Sequence, residues 1–283
     1  MHTHLLVLTT ILSFGCGEIT DPVPDSTGWW ETGEVFDVQE PIRFTATPYD
    51  FPADPSDGIG TFLEDFFPVA DRTVEFGPDD QYGSSGCGSK VNRDLPLEIE
   101  GVVTIMPRWY MKIDGCNRGD EKYYGNYFIE DSTGGVFIIG DSKVAHFDMG
   151  DRVRLRVRGI RTNFDFHMVY AHDVIDVQRG PQPIMYQVAD TPFSNPDIGE
   201  VRRVRGKVTS EPDTFGQLIV EAEDGTRWFV NYDSELSRRR AFPTVGQTVC
   251  ATGPIQFSYS EYSLVVMRIG QVAVLQGDEN CPD

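Results

Sequence analysis

The residues best equipped for chemistry fall between positions 108 and 167. One stretch carries Arg108, Trp109, Tyr110, Lys112, Arg118, Tyr123 and Tyr124, and a later turn carries Phe164, Phe166 and His167. Aromatic rings interleaved with cations can stack on bases or sugars and hold phosphates. The same rings can instead cover the end of a barrel. Between these stretches stand Arg152, Arg154, Arg156 and Arg158. A strand repeats every two residues, so all four guanidiniums share one face while Val153, Leu155 and Val157 share the other. Four like charges repel unless something answers them. Cross-strand acids such as Glu98, Glu100, Asp173 or Asp176 are the first answer. The chain's own acidic leader is a second, and an anionic partner, nucleic acid included, a third.

Other reactive types do not assemble. His167 and His172 are five apart in a strand-like run and point to opposite faces, so they cannot readily share a metal. Asp165 and His167 share a face but have neither a third ligand nor a nucleophile beside them. The sequence has no Gly-x-Ser-x-Gly elbow, His-Glu-x-x-His pair or calcium loop of standard spacing. Gly83-Ser84-Ser85-Gly86-Cys87-Gly88-Ser89-Lys90 fails as a phosphate loop, because Ser89 precedes the lysine and Val91 follows it. Asp54-Pro55-Ser56-Asp57-Gly58 reads as a plain turn. The expectation is a protein that is not an enzyme and holds no metal or cofactor.

The elements that position these residues are strands. Tyr127 to Ile139 contains two apolar runs around Gly134-Gly135, a hairpin signal. A Gly-led alternating strand follows from Gly150, then His167 to Val177. Residues 181–277 repeat this plan. Ile99-Glu100-Gly101-Val102-Val103-Thr104 matches Val204-Arg205-Gly206-Lys207-Val208-Thr209, and Phe128-Ile129-Glu130 matches Ile219-Val220-Glu221. Thr133-Gly134-Gly135 is answered by Asp224-Gly225-Thr226, and Gly150 by Gly246. Asp141-Ser142 and Asp233-Ser234 are placed to cap short helices, the second ending in Arg238, Arg239 and Arg240.

The chain has 283 residues and a net charge of −20. Such acidity argues against nucleic acid and acidic membranes. It is unevenly spread: 17 acids and 4 bases lie in residues 17–94, 13 and 11 in 95–180, and 14 and 9 in 181–283. Residues 17–94 therefore read as an acidic, Pro/Gly-rich, disordered tether. Its prolines, among them Pro48, Pro52, Pro55 and Pro78, predict no regular element. The part from about Phe44 is expected to lie against the first domain. The organisation predicted is 1–16 a signal peptide, 17–94 the tether, 95–180 and 181–277 two β domains, and 278–283 a tail.

Leu5 to Phe14 is apolar but too short to span a bilayer, as in a secretory signal peptide. Its end, Leu12-Ser13-Phe14-Gly15-Cys16, resembles a bacterial lipobox. That resemblance implies lipidation of Cys16, and Gly17 after it implies the outer membrane. An oxidising compartment makes the other four cysteines candidates for disulfides. Of three pairings, Cys87–Cys116 and Cys250–Cys281 keep each bridge within one region.

The order strand, long loop, hairpin, short helix, Gly-led strand and closing strand resembles the OB-fold, a five-stranded barrel. The strand-1 glycine and the Glu-Asp/Gly turn are similar to the OB modules of bacterial exported lipoproteins and secreted nucleases. The resemblance implies an all-β protein with two OB-like five-stranded barrels in tandem. It places the residue 108–124 loop and the Phe164–His167 turn beside a ligand face. The function expected is non-catalytic binding or scaffolding at the outer membrane through an unknown protein partner. The alternatives are binding of single-stranded nucleic acid or glycan by the first barrel's loops, or a role accessory to a hydrolase or nuclease.

Overall fold

The computed structural model describes residues 42–66, 87–108, 113–114, 122–123, 126–139, 147–163, 166–180, 182–214, 216–232, 242–258, 260–277 and 279–282. At 87–97, 107–108, 113–114, 122–123, 126, 139, 158–163, 166–168, 170–173 and 269 the backbone alone is described. Cys16, Cys116 and the two Asp-Ser caps lie outside the described residues.

The described residues are mostly strand. β1 (Phe44–Thr45) and helix α1 (Ile59–Phe66) belong to the leader. β2 (Cys87–Arg108), β3 (Ile113–Asp114), β4 (Lys122–Tyr123), β5 (Asn126–Glu130), β6 (Gly135–Ile139), β7 (Arg152–Asn163) and β8 (Phe166–Gln178) follow. β2, β5, β6, β8 and β7 close into a barrel in that order, with β6 and β8 parallel and the other neighbours antiparallel. This is the OB-like closed barrel implied by the sequence. β2 begins at Cys87, ahead of the start expected at 95.

β9 (Ile184–Met185) and β10 (Gln187–Val188) lie in the connection. β11 (Val201–Val208), β12 (Gln217–Glu221), β13 (Arg227–Tyr232), β14 (Thr248–Ser258), β15 (Glu261–Val266) and β16 (Val272–Leu275) come after it. With β10 they make a seven-stranded sheet ordered β10-β11-β12-β13-β15-β14-β16, and β14 also pairs with β11. β13 and β15 are parallel, as β6 and β8 are.

The matched residues do the same work in both units. A Cβ on Gly101 would stand 3.0 Å from the Glu130 carbonyl oxygen, and one on Gly206 would stand 2.5 Å from that of Glu221. Glycine lets the second strand cross the first closely at both places, and at Gly206 any side chain would force the strands apart. Gly150 and Gly246 both take φ of 94°, and their N–H groups donate to Val103 and Val208 at 2.8 and 2.9 Å. One apolar cluster fills the first barrel with Ile99, Val103, Ile129, Val153, Leu155 and Val157. A second fills the later sheet with Val204, Leu218, Val220, Trp228, Val249 and Leu264.

The leader departs from the expectation of no regular element. Between Pro55 and Phe66 no proline interrupts, and α1 buries Ile59, Phe62 and Leu63. Its backbone is anchored from 72 residues away, where Asp131 Oδ2 accepts the Ile59 N–H at 2.8 Å. Ser132 Oγ donates to the Phe51 carbonyl at 2.7 Å, and Gly60 N–H donates to Thr133 Oγ1 at 2.9 Å. β1 pairs in parallel with β9, and the Met185 N–H donates to Tyr49 Oη at 2.9 Å. The leader thus straps both the first barrel and the connection beyond it.

Candidate functional site

The loop residues singled out by type lie largely beyond description. Trp109, Tyr110, Lys112, Tyr124 and Phe164 are outside the described residues, as is Arg118. Arg108 ends β2, Tyr123 lies in β4, and Phe166 and His167 open β8, all by backbone alone. Cys87 likewise opens β2 by backbone, so its pairing with Cys116 also lies outside the described residues.

The arginine ladder is described at three of its four positions. β2 and β7 pair Glu98 with Arg156 and Glu100 with Arg154, so acids and bases share the outer face. Arg152 Nε meets Glu100 at 2.6 Å, Arg154 Nε meets Glu98 at 3.7 Å, and Arg156 meets Glu98 at 3.3 Å. On the β8 side the backbone register sets Arg154 opposite Asp176 and Arg156 opposite Asp173. The leader answers too, with Phe51 placing its ring 3.7 Å from the Arg152 guanidinium carbon. Of the answers weighed from sequence, the cross-strand acids are the one seen at work; among the described residues the leader meets Arg152 with an aromatic ring and not with an acid. Of Arg158 the backbone alone is described.

A face that sequence reasoning missed lies on the hairpin β5–β6. Register sets Phe128 opposite Phe137 and Glu130 opposite Gly135, on the outside of the barrel. Ile129 and Val136 point inward. Yet both sets are buried. The outer set is covered by the second unit, whose Ile198, Val201, Phe257 and Met267 belong to the same apolar cluster. A Cβ on Gly135 would lie 1.9 Å from the Gly199 carbonyl oxygen, so the two backbones touch directly. Glu130 Oε1 accepts the Val201 N–H at 2.9 Å, while Oε2 has no partner. Burial pushes the Glu130 carboxyl well above its ordinary range, Glu200 and Asp131 push the same way, and Arg202 opposes them. The only advance signal was an acid in the middle of an apolar hairpin.

The corresponding hairpin of the second unit is open. β12 and β13 alternate between buried and half-exposed. Register sets Ile219 opposite Phe229, Gln217 opposite Asn231 and Glu221 opposite Arg227. The first pair is half-exposed at the centre. Arg227 Nε holds Glu221 at 2.6 Å, and Lys207 stands across from Glu221 on β11. Arg227 takes the place that Gly135 has in the first hairpin, so a backbone cannot approach as Gly199 does there.

Cys250 bonds Cys281, tying the tail to β14. Val249 and Ala251 on either side enter the second core. Among the described residues no three His, Cys, Asp or Glu side chains are grouped to hold a metal ion. No helix among them is long and apolar enough to cross a membrane.

No protein-family model and no curated protein matches the chain. Among solved structures it is similar to a chain of the S. pombe Stn1–Ten1 complex, at 20% identity and a TM-score of 0.22, over 27% of this chain and 59% of that one. The tetrameric p202 HIN2 aligns at 12% identity and 0.28, over 70% and 100%. The single-stranded DNA binding protein from Thermus aquaticus aligns at 12% and 0.24, over 65% and 94%. At these scores the alignments carry no inference about a ligand.

Proposed function

We propose that the chain is a non-catalytic binding protein of the cell envelope, exported and held there by a lipid on Cys16. In this reading the second unit is a second OB-like barrel. Its support is the circuit of pairings β11-β12-β13-β15-β14 and back to β11, which repeats the order of the first. The binding face is the outer side of β12–β13, around Ile219 and Phe229.

One observation carries this reading. The same face of the first barrel is sealed by polypeptide of the chain itself, residues 198–201 together with Phe257 and Met267, through apolar contact and the Val201 N–H. A face built on the same register and left half-exposed fits a protein segment as its ligand. The polar flanks, Gln217, Asn231 and the Glu221–Arg227 pair, supply orientation more than charge.

The test is site-specific photo-crosslinking in the source cells, with the probe at Phe229 and a control probe at Asp190. A discrete protein adduct from 229 alone is the expected result. No adduct, or the same adducts from both positions, overturns the reading.

A second reading, single-stranded nucleic acid or glycan, draws on Phe229 as a stacking ring, with Lys207 two strands away in the same sheet. It predicts that the full chain binds an oligothymidine at low salt, that binding weakens steeply with salt, and that Phe229→Ala abolishes it. Absence of binding at every salt concentration removes it.

A further inference from the structure

A groove of about 940 Å³ runs between the leader strap and the outer face of β2 and β7. Its apolar lining includes Phe51, Phe62, Phe66 and Ile99, with the Phe62 and Phe66 rings tilted against each other at 5.0 Å between centroids and Phe66 half-exposed. Its two cations, Arg152 and Arg154, are already matched by Glu100 and Glu98. Along the strap wall stand Asp50, Asp54, Asp57 and Asp65, all exposed. Asp54 is engaged with the N–H and hydroxyl of Ser56, which lowers its pKa and keeps it ionised. Asp50, Asp57 and Asp65 meet no cation among the described residues. Asp131 also lines the groove, but its oxygens are committed to Ile59, Thr133 and Gly134.

We propose that this groove docks a basic peptide segment of a partner protein, with an apolar side chain over Phe62 and Phe66 and flanking lysines or arginines against the strap aspartates. The ligand class follows from charge complementarity. Within the groove every cation is internally matched and the strap carboxylates are not. A cleft walled by one sign of charge concentrates ligands of the other sign, and the protein around it is low in dielectric. The aromatic lining distinguishes a peptide from a bare metal ion or polyamine, neither of which gains from apolar contact. The occupant is distinct in chemistry and place from the ligand proposed for the β12–β13 face.

The test uses the full chain and a fluorescent peptide of alternating lysine and phenylalanine, read by anisotropy. The parent is expected to bind it at low salt and more weakly near ~0.15 M salt. Asp50→Asn/Asp57→Asn/Asp65→Asn should weaken binding about tenfold or more, because exposed carboxylates act mainly through the local field. Asp190→Asn/Glu211→Gln/Glu223→Gln removes three exposed acids elsewhere and should change it by less than about twofold. Phe66→Ala should weaken it further, and a peptide with alanine for phenylalanine should bind less well than the original. Equal losses in the two triple variants mean attraction to the net charge alone and overturn the proposal. So do undiminished binding in the strap triple variant, indifference to Phe66→Ala, or no binding at low salt. Phe229→Ala serves as a further control and should leave this binding intact, which separates failure here from failure at the β12–β13 face.

Discussion

Glu130 and Val201 meet across the seam between the two units: one carboxylate oxygen accepts the Val201 N–H at 2.9 Å, and the other, equally buried, has no partner. Folding therefore keeps the proton on this group to a higher pH than the unfolded chain does, because burial dominates its environment. Below the ordinary carboxylate range both states are neutral and the group is silent. As pH rises above that range, the unfolded state ionises first and stability falls, until the folded pKa is passed. Asp131 and Asp148, also raised chiefly by burial, act in the same direction. Glu130→Gln is expected to melt close to the parent at acid pH and above it at neutral pH and beyond. A thermal melt series across pH checks this, and a variant less stable than the parent at neutral pH contradicts it.

Gly135→Ala places a methyl where the Gly199 carbonyl already sits, at 1.9 Å. Backbone cannot yield as a flexible side chain can, so the seam must part. A loss of about 1–3 kcal/mol or more is expected in denaturant unfolding. Hydrogen exchange should rise at Val201 and at the Phe128–Phe137 pair, and much less in the core around Leu218 and Val249.

Carboxylates that look alike in sequence should differ widely in worth. Asp131 accepts from Thr133 N–H and hydroxyl, Gly134 N–H and Ile59 N–H, and is almost wholly buried. Asp131→Ala strands these donors and releases α1, a cost of about 3 kcal/mol or more. Glu98→Ala removes two half-exposed ion pairs and should cost less than about 1 kcal/mol. Parallel urea titrations compare them, and a larger loss for Glu98→Ala than for Asp131→Ala would reverse the assignment.

The Cys250–Cys281 bond closes a span of 31 residues. Cys250→Ser/Cys281→Ser should lose roughly 2–4 kcal/mol. Reduction of the parent should lose a similar amount, and the double variant should no longer respond to reductant. Unfolding curves with and without dithiothreitol decide the matter.

Much of the architecture was legible before any coordinates, because it rests on local rules. Alternation at residues 151–158 gave the strand and the shared face of its arginines. The matched glycines, Gly101 with Gly206 and Gly150 with Gly246, marked strand crossings and turns that depend on the absence of a side chain. Cys250 between two inward residues pointed to an outward bond. The seam was not legible. Phe128 and Phe137 look like ordinary barrel residues, and nothing local says that their outer side will be covered by residues 198–201. Long-range burial of Glu130 depends on a contact 71 residues away, which no periodicity records. Helix α1 was hidden for the same reason, since the first two N–H groups of the helix are taken up by Asp131 and Thr133, 72 and 73 residues away.

The bridge from Cys281 to β14 also governs how the molecule would bear a load. A pull applied beyond Cys281 does not reach β16 first and unzip it bond by bond. The tension passes through the sulfurs into β14, which is laddered to β11, β15 and β16, and several strands must slide at once for it to yield. The C-terminal side is thereby a firm mechanical attachment point, and reductant would turn it into one that peels.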